Sequence, residues 1–436
     1  MTDPTTSGGR PSAGPPFSTS TRRTFLAGTT AGVVTAGLSV PLVHAAGSST
    51  IKVGLVGCGG RGSGAAVQTL TADSGTRLVA VADAFQDRID EQLPVIKGSA
   101  VGERVDVPKD RQYAGFDAYK HVIDQVDLVL LTTPPHFRPI HLEYAVSKGV
   151  HAFVEKPMAV DGPGLRKFLE AVKQSKAKGL SLVNGFCWRY FPPRRELMKR
   201  VLEGQIGDVV AIETTYNSQG VWDPRKKREE CSSDMEYQMR NWYYYCWLSG
   251  DHIVEQAVHG IDTMGWITGD IRPIRCSAVG GRQSRTDAKY GNIWDHFSVV
   301  YEYPNNVRGY HHCRHWVHTD VQVADFLLGS KGMADVFKPA ITGENKWRHR
   351  GQRPDMYQVE HDEMYAAIRA GKPINNGEQA ANSTLLALMG RTAAYTGRAV
   401  TPDMILNSKE DLSPPKYEFG PLMAPAIPVP GYTKFA

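Results

Sequence analysis

Glu155, Lys156 and Pro157 stand together at the end of a hydrophobic run, residues 151–154. The amine can accept or release a proton, the carboxylate can bind a ribose hydroxyl, and the proline can fix a tight turn, with a cis bond as one route. A second group, Glu255, His259 and Asp262, lies in a stretch where Val258, Ile261 and Trp266 recur at helical spacing. That spacing puts Glu255 and His259 on one helical face and places Asp262 where it can orient the ring. Together the two groups have the residue types needed to take a proton from a hydroxyl. The plain alternatives are a charged strand end, a helix cap and a satisfied core histidine.

These residues need a frame, and the chain offers one upstream. Residues 51–56 read as a buried strand, and residues 63–70 read as a helix. Between them Gly57, Gly59 and Gly62 fill the G-x-G-x-x-G positions, with Gly60 and Arg61 inside the loop. Gly57 permits the turn, Gly59 lets backbone approach a pyrophosphate, and Gly62 allows close helix packing. The helix start then offers free N–H groups to phosphate. The next strand ends at Asp83, where a ribose-binding carboxylate belongs; an acid there favours NAD over NADP. A third buried strand, residues 128–132, ends in Thr133-Pro134-Pro135-His136, which should border the nicotinamide half. His136 reads equally as a ligand contact or a solvated turn residue. Residues 98–113 read as a loop, and 138–148 as an amphipathic helix.

The glycine loop, the Thr133-Pro134 strand end and Gly149-Val150-His151 through Glu155-Lys156-Pro157 together resemble the Gfo/Idh/MocA oxidoreductase family. The resemblance spans about residues 50–400. It implies an N-terminal Rossmann domain with a doubly wound parallel sheet, residues 51–157. It also implies a C-terminal α+β domain with a mostly antiparallel open sheet, residues 158–350, and helices at 351–400 that return to the body. The family's lysine acts at the reacting hydroxyl and its glutamate borders the cofactor, roles that fall on Lys156 and Glu155. Its acid and histidine fall on Glu255 and His259, although Asp is commoner than Glu at the first.

Residues 275–280, 296–303, 308–315 and 324–328 read as strands of the open sheet. The aromatic run 242–247 could stack on a sugar ring, and core packing or a dimer surface explains it nearly as well; Arg189, Tyr190, Tyr244 and Asp262 are the substrate-binding candidates. His311, Cys313 and His315 alternate on one strand face, but a fourth ligand is missing and no metal is expected. Residues 401–436 are rich in Pro and Gly, and either wrap a neighbouring subunit or lie loose.

Net charge is +5, of which residues 1–46 carry +2, too little to argue for nucleic acid. The six cysteines form no spaced framework. Thr21-Arg22-Arg23-Thr24-Phe25-Leu26, the apolar run 27–43 and Ala45-Ala46 resemble a twin-arginine export signal rather than a stable membrane anchor. Export by that machinery would put the protein in the periplasm or outside the cell, and a nicotinamide cofactor would then have to be retained. The expected activity is hydride transfer at a carbinol carbon of a sugar, polyol or glycoside. The alternative is a redox-neutral glycoside hydrolase using the same residues. A small carbohydrate is the expected substrate and a homo-oligomer the expected assembly. Which of Lys156 and His259 is the immediate base stays open.

Overall fold

The computed structural model describes residues 50–435; the expected export signal lies outside the described residues. Six strands form the first sheet: β1 (Ile51–Val56), β2 (Thr76–Asp83), β3 (Gln112–Ala114), β4 (Leu128–Leu131), β5 (His151–Val154) and β6 (Leu182–Asn184). Their order is β3-β2-β1-β4-β5-β6, and every pairing is parallel. Helices cover both faces, so the central strands are apolar throughout: Val53, Leu55, Leu128, Leu130 and Phe153 are fully buried. The strand order reverses beside β1 and β4, and a ligand crevice opens at that switch point.

Two details differ from the sequence reading. β6 was expected in the second domain but pairs with β5, so the parallel sheet continues past Pro157 to Asn184. The 98–113 stretch, expected as a loop, ends in β3, whose three residues are too few to show a period.

The second sheet holds β7 (Val209–Ser218), β8 (Arg275–Gly281), β9 (His296–Glu302), β10 (Arg308–His315), β11 (Gln322–Gly329), β12 (Gly332–Asp335), β13 (Ala340–Gly343) and β14 (Trp347–Arg348). The order is β14-β13-β12-β11-β7-β10-β9-β8, antiparallel except where β10 runs parallel to β7. Alternate residues of β9 and β10 are buried, the period of a sheet with one covered face. The helices Val258–Ile267 and Gly377–Thr396 pack on that face. The other face carries exposed Val279, Tyr310 and Met333.

The carboxy-terminal elements return to the first sheet. Helix Met356–Arg369 packs against Gly60–Ala72, the helix that opens the glycine loop. The Pro/Gly-rich tail follows its own chain: Leu412 N donates to Asp161 Oδ2 (2.9 Å), and the Phe419 ring lies 5.5 Å from Phe85 and 5.0 Å from Phe116. Among the described residues no helix is long and apolar enough to cross a membrane.

Candidate active site

A cavity of about 480 Å³ runs from the glycine loop to the second domain. At one end its walls are mostly backbone. Gly57 has φ +102°, and a Cβ there would meet Thr133 N at 2.7 Å. A Cβ on Gly62 would stand 2.0 Å from Gly57 O. At Gly59 and Gly60 a Cβ would meet nothing within 4 Å, so the loop leaves open space in front of the helix start. That space, with free N–H groups beside it, fits a pyrophosphate. Asp83 closes this end; its Oδ2 accepts from Cys58 N (2.7 Å) and its Oδ1 from Phe85 N (3.0 Å). Burial pushes the carboxyl above its ordinary range, while those two N–H groups pull it down. Each oxygen keeps a lone pair for a ribose hydroxyl. The residues present therefore fit a dinucleotide.

At the other end the walls are side chains. The Lys156–Pro157 peptide is cis. Lys156 Nζ donates to Glu255 O (2.5 Å) and to Glu255 Oε1 (3.0 Å). An ammonium has three donors, so one remains for a ligand. The long glutamate arm suits this pairing, since Glu255 comes from a separate short helix, His252–Glu255. Gly250 and Asp251 start that helix with φ of +79° and +75°. Buried Asp251 holds the turn: its Oδ1 accepts from His252 N (2.5 Å) and its Oδ2 from Trp294 N (2.8 Å).

Glu255 and His259 do not share one helix. Ala257 N donates to His252 O (2.9 Å), a widened turn that separates the short helix from Val258–Ile267. Both residues still line the cavity. His259 stacks on Trp188 with ring centroids 4.8 Å apart, and its Nδ1 is buried without a partner. Burial, with Lys156 and Arg194 adding to it, holds the imidazole well below its ordinary value and therefore neutral.

Asp262 does not orient this ring. Its Oδ1 accepts from Ser383 Oγ (2.6 Å) and Gln379 Nε2 (2.8 Å), and its Oδ2 from Arg189 Nε (2.9 Å). Three groups from outside the helix turn the carboxylate away. Arg189 is thereby committed to Asp262 and Asp270. Tyr190 OH accepts from Asn376 Nδ2 (2.8 Å), and Tyr244 OH donates to Trp222 O. None of Arg189, Tyr190, Tyr244 and Asp262 lines the cavity. His136 is also outside it, its Nε2 2.8 Å from Tyr417 OH.

The remaining expected residues, Gly57, Gly59, Gly60, Arg61, Gly62, Asp83, Thr133, Pro134, Glu155 and Lys156, all line the cavity. Arg61 is held across it: Nε donates to Glu155 Oε1 (2.5 Å), Nη1 to Gln68 Oε1 (2.8 Å) and Nη2 to Glu360 Oε1 (3.3 Å). Burial and the Glu155 charge push the Glu360 carboxyl far up, while Arg61 pulls it down. Of the aromatic run 242–247, Trp242 lines the cavity. The sequence reading missed Arg138, Gln256, Trp222 and Arg240, which also line it and sit in stretches with no local pattern.

Residues 51–183 match the oxidoreductase family described as NAD-binding Rossmann fold, and residues 195–335 match the GFO/IDH/MocA C-terminal domain. The chain belongs to the Gfo/Idh/MocA oxidoreductase family. Among curated relatives, inositol 2-dehydrogenase of Rhizobium meliloti is 26% identical over 250 residues, covering 57% of this chain and 64% of that one. A glycosyl hydrolase family 109 protein of Shewanella pealeana is 26% identical over 199 residues, covering 45% and 40%. The matches thus span between two fifths and two thirds of these relatives. The crystal structure of aldose-aldose oxidoreductase from Caulobacter crescentus, complexed with glycerol, shares the fold, with TM-score 0.63 and 18% identity over 81% of this chain and 99% of that one.

Proposed function

We propose that this family member transfers a hydride between a carbinol carbon of a sugar, polyol or glycoside and a retained nicotinamide dinucleotide, with NAD favoured by Asp83. The bound dinucleotide would supply the hydride acceptor or donor. The carrying observation is that Lys156 Nζ, with one N–H left to offer, shares a cavity with neutral His259 and with the glycine loop. Lys156 would hold the substrate hydroxyl by that donor and stabilise the developing alkoxide. His259, uncharged, would accept the hydroxyl proton. Glu255 would hold the ammonium in place through its carbonyl and carboxylate. Glu155, fixed by Arg61, would form the opposite wall.

Retention is supported by a clasp over Asp83's loop. The Arg240 guanidinium lies 3.8 Å from the Phe85 ring centre and pairs with Asp87 (2.7 Å), and Phe419 packs on the same ring. Retention also agrees with the proposed twin-arginine export to the periplasm or beyond, which rests on Arg22-Arg23 and the apolar run after them. The open face of the second sheet, with Val279, Tyr310 and Met333, supports assembly into a homo-oligomer.

The family 109 relative favours a second reading, in which the same residues oxidise a glycoside, eliminate its aglycone, add water and reduce again. One experiment separates the two. Dialysed protein is assayed for bound dinucleotide at 340 nm with candidate glycosides and no added cofactor. A reduced dinucleotide that a second sugar reoxidises supports the oxidoreductase; aglycone release with no reduced dinucleotide left supports the hydrolase. Protein that neither holds nor binds a dinucleotide refutes both.

A further inference from the structure

Arg138 is the first residue of helix Arg138–Ser147, directly after the turn that ends β4. It lines the cavity but is only 4% exposed. Nη1 donates to Pro157 O (2.6 Å), next to the catalytic lysine, and Nε is buried with no partner. Two other cations near it have carboxylates in contact, Lys156 with Glu255 at 3.0 Å and Arg61 with Glu155 at 2.5 Å. Arg138 has only the carbonyl. Burial lowers it to about 10, with the more distant Glu155 and Glu255 pulling the other way.

A guanidinium stays charged in a protein, and a buried charge is costly unless an opposite charge meets it. The carboxylates at this end already have cations: Glu255 pairs with Lys156, and Glu155 and Glu360 pair with Arg61. Arg138 is the cation left without one. The pyrophosphate does not supply the missing anion, because its place is the open space before Gly59 and Gly60, at the far end. A nicotinamide carboxamide offers an oxygen but no charge.

We propose that Arg138 reads a carboxylate on the substrate, so that the carbohydrate is a sugar acid and not a neutral sugar or polyol. The planar fork of the guanidinium suits a carboxylate, and the Pro157 carbonyl fixes one edge of it. The anchor stands one residue from Lys156 in contact terms, so a bound acid group would set which carbinol meets the ammonium. This rests on the oxidoreductase reading above, of which it names the substrate class.

The test compares matched pairs, D-glucuronate with D-glucose and D-galacturonate with D-galactose, by calorimetry on the full protein with its dinucleotide. The acid of at least one pair should bind about tenfold tighter or more, with the advantage shrinking as salt rises. Arg138→Met should remove that advantage and leave the dinucleotide content unchanged. Arg138→Lys, which keeps the charge and loses the fork, should fall between; it also stands in if the methionine variant does not fold. Equal binding of acid and parent in both pairs, or binding of neither, overturns the proposal. So does an advantage that survives Arg138→Met, or a variant that loses dinucleotide while keeping the preference, which would assign the guanidinium to the cofactor. Absence of dinucleotide from the wild-type protein is a separate readout and counts against the oxidoreductase reading instead.

Discussion

At the glycine-loop end of the cavity, the groups facing a ligand are mostly backbone N–H groups from one continuous stretch, with the Asp83 carboxylate beside them. At the lysine end they are side chains from residues 138, 156, 255 and 259, delivered by four elements. The first end is shaped by what is missing, the Cβ atoms of Gly57 and Gly62, and it tolerates little added volume. The second is shaped by charge pairing, and each group there holds another in place. Loss of a side chain should therefore cost chemistry at the lysine end and binding at the glycine end.

The largest effect should come from Lys156→Ala. General acid–base groups contribute about 10²–10⁴-fold, so turnover should fall by about 10³. Dinucleotide content, read from absorbance of the dialysed protein, should not change. Equal loss of both would mean the two ends are not separable. Next comes Asp262→Ala, which leaves Arg189, largely buried, without its main partner. Breaking such a pair costs about 3 kcal/mol of stability, seen as a lower denaturant midpoint, with KM unchanged. A raised KM would return Asp262 to the substrate site. Gly62→Ala should reverse the lysine result. Its Cβ would press on Gly57 O at 2.0 Å, so the loop must shift. Dinucleotide affinity should fall by about 10²-fold, while turnover at saturating dinucleotide is largely kept.

These contrasts also show what the chain revealed before its fold was seen. The glycine loop, Asp83 and the strand ends were legible because a local pattern encodes each of them. Lys156 and His259 were legible by type. Asp262, Arg189 and Tyr190 were misplaced for one reason: their partners Ser383, Gln379 and Asn376 lie on or beside the Gly377–Thr396 helix, far along the chain. A polar residue's role depends on who satisfies it, and sequence spacing does not say. The widened turn at Ala257 was hidden likewise, since helical periodicity runs through it. Arg138 was missed because a helix-start arginine reads as solvated until Pro157 is folded against it.

His259 gives a pH test at the lysine end. Its ordinary value is 6.5, and in the fold it is well below that. Below pH 6.5 the unfolded chain takes up a proton that the folded chain refuses. The stability His259 contributes is thus present above 6.5 and is lost as pH falls, by about 1.4 kcal/mol per pH unit. His259→Gln should remove that slope: measured by denaturant unfolding at pH 7 and 5.5, the wild type should lose more stability than the variant. Parallel losses would mean the imidazole takes up its proton as readily in the fold as in the unfolded chain, against the lowered value.

The smallest effect should be that of Tyr190→Phe, and it sharpens the boundary of the site. Tyr190 is buried, and its hydroxyl takes one hydrogen bond, from Asn376. Arg195 lies over the ring, 4.8 Å from its centre, a contact phenylalanine preserves in shape. Deleting the oxygen leaves Asn376 Nδ2 without this acceptor, a loss of about 1 kcal/mol. Asn376 still pairs through Oδ1 with Asn184 at the end of β6 (2.6 Å), so the strand end should hold. The thermal midpoint should drop slightly, with kcat and KM as in the wild type. A changed KM at unchanged stability would instead mean that substrate reaches this hydroxyl, and that the side-chain end of the cavity extends beyond its present walls.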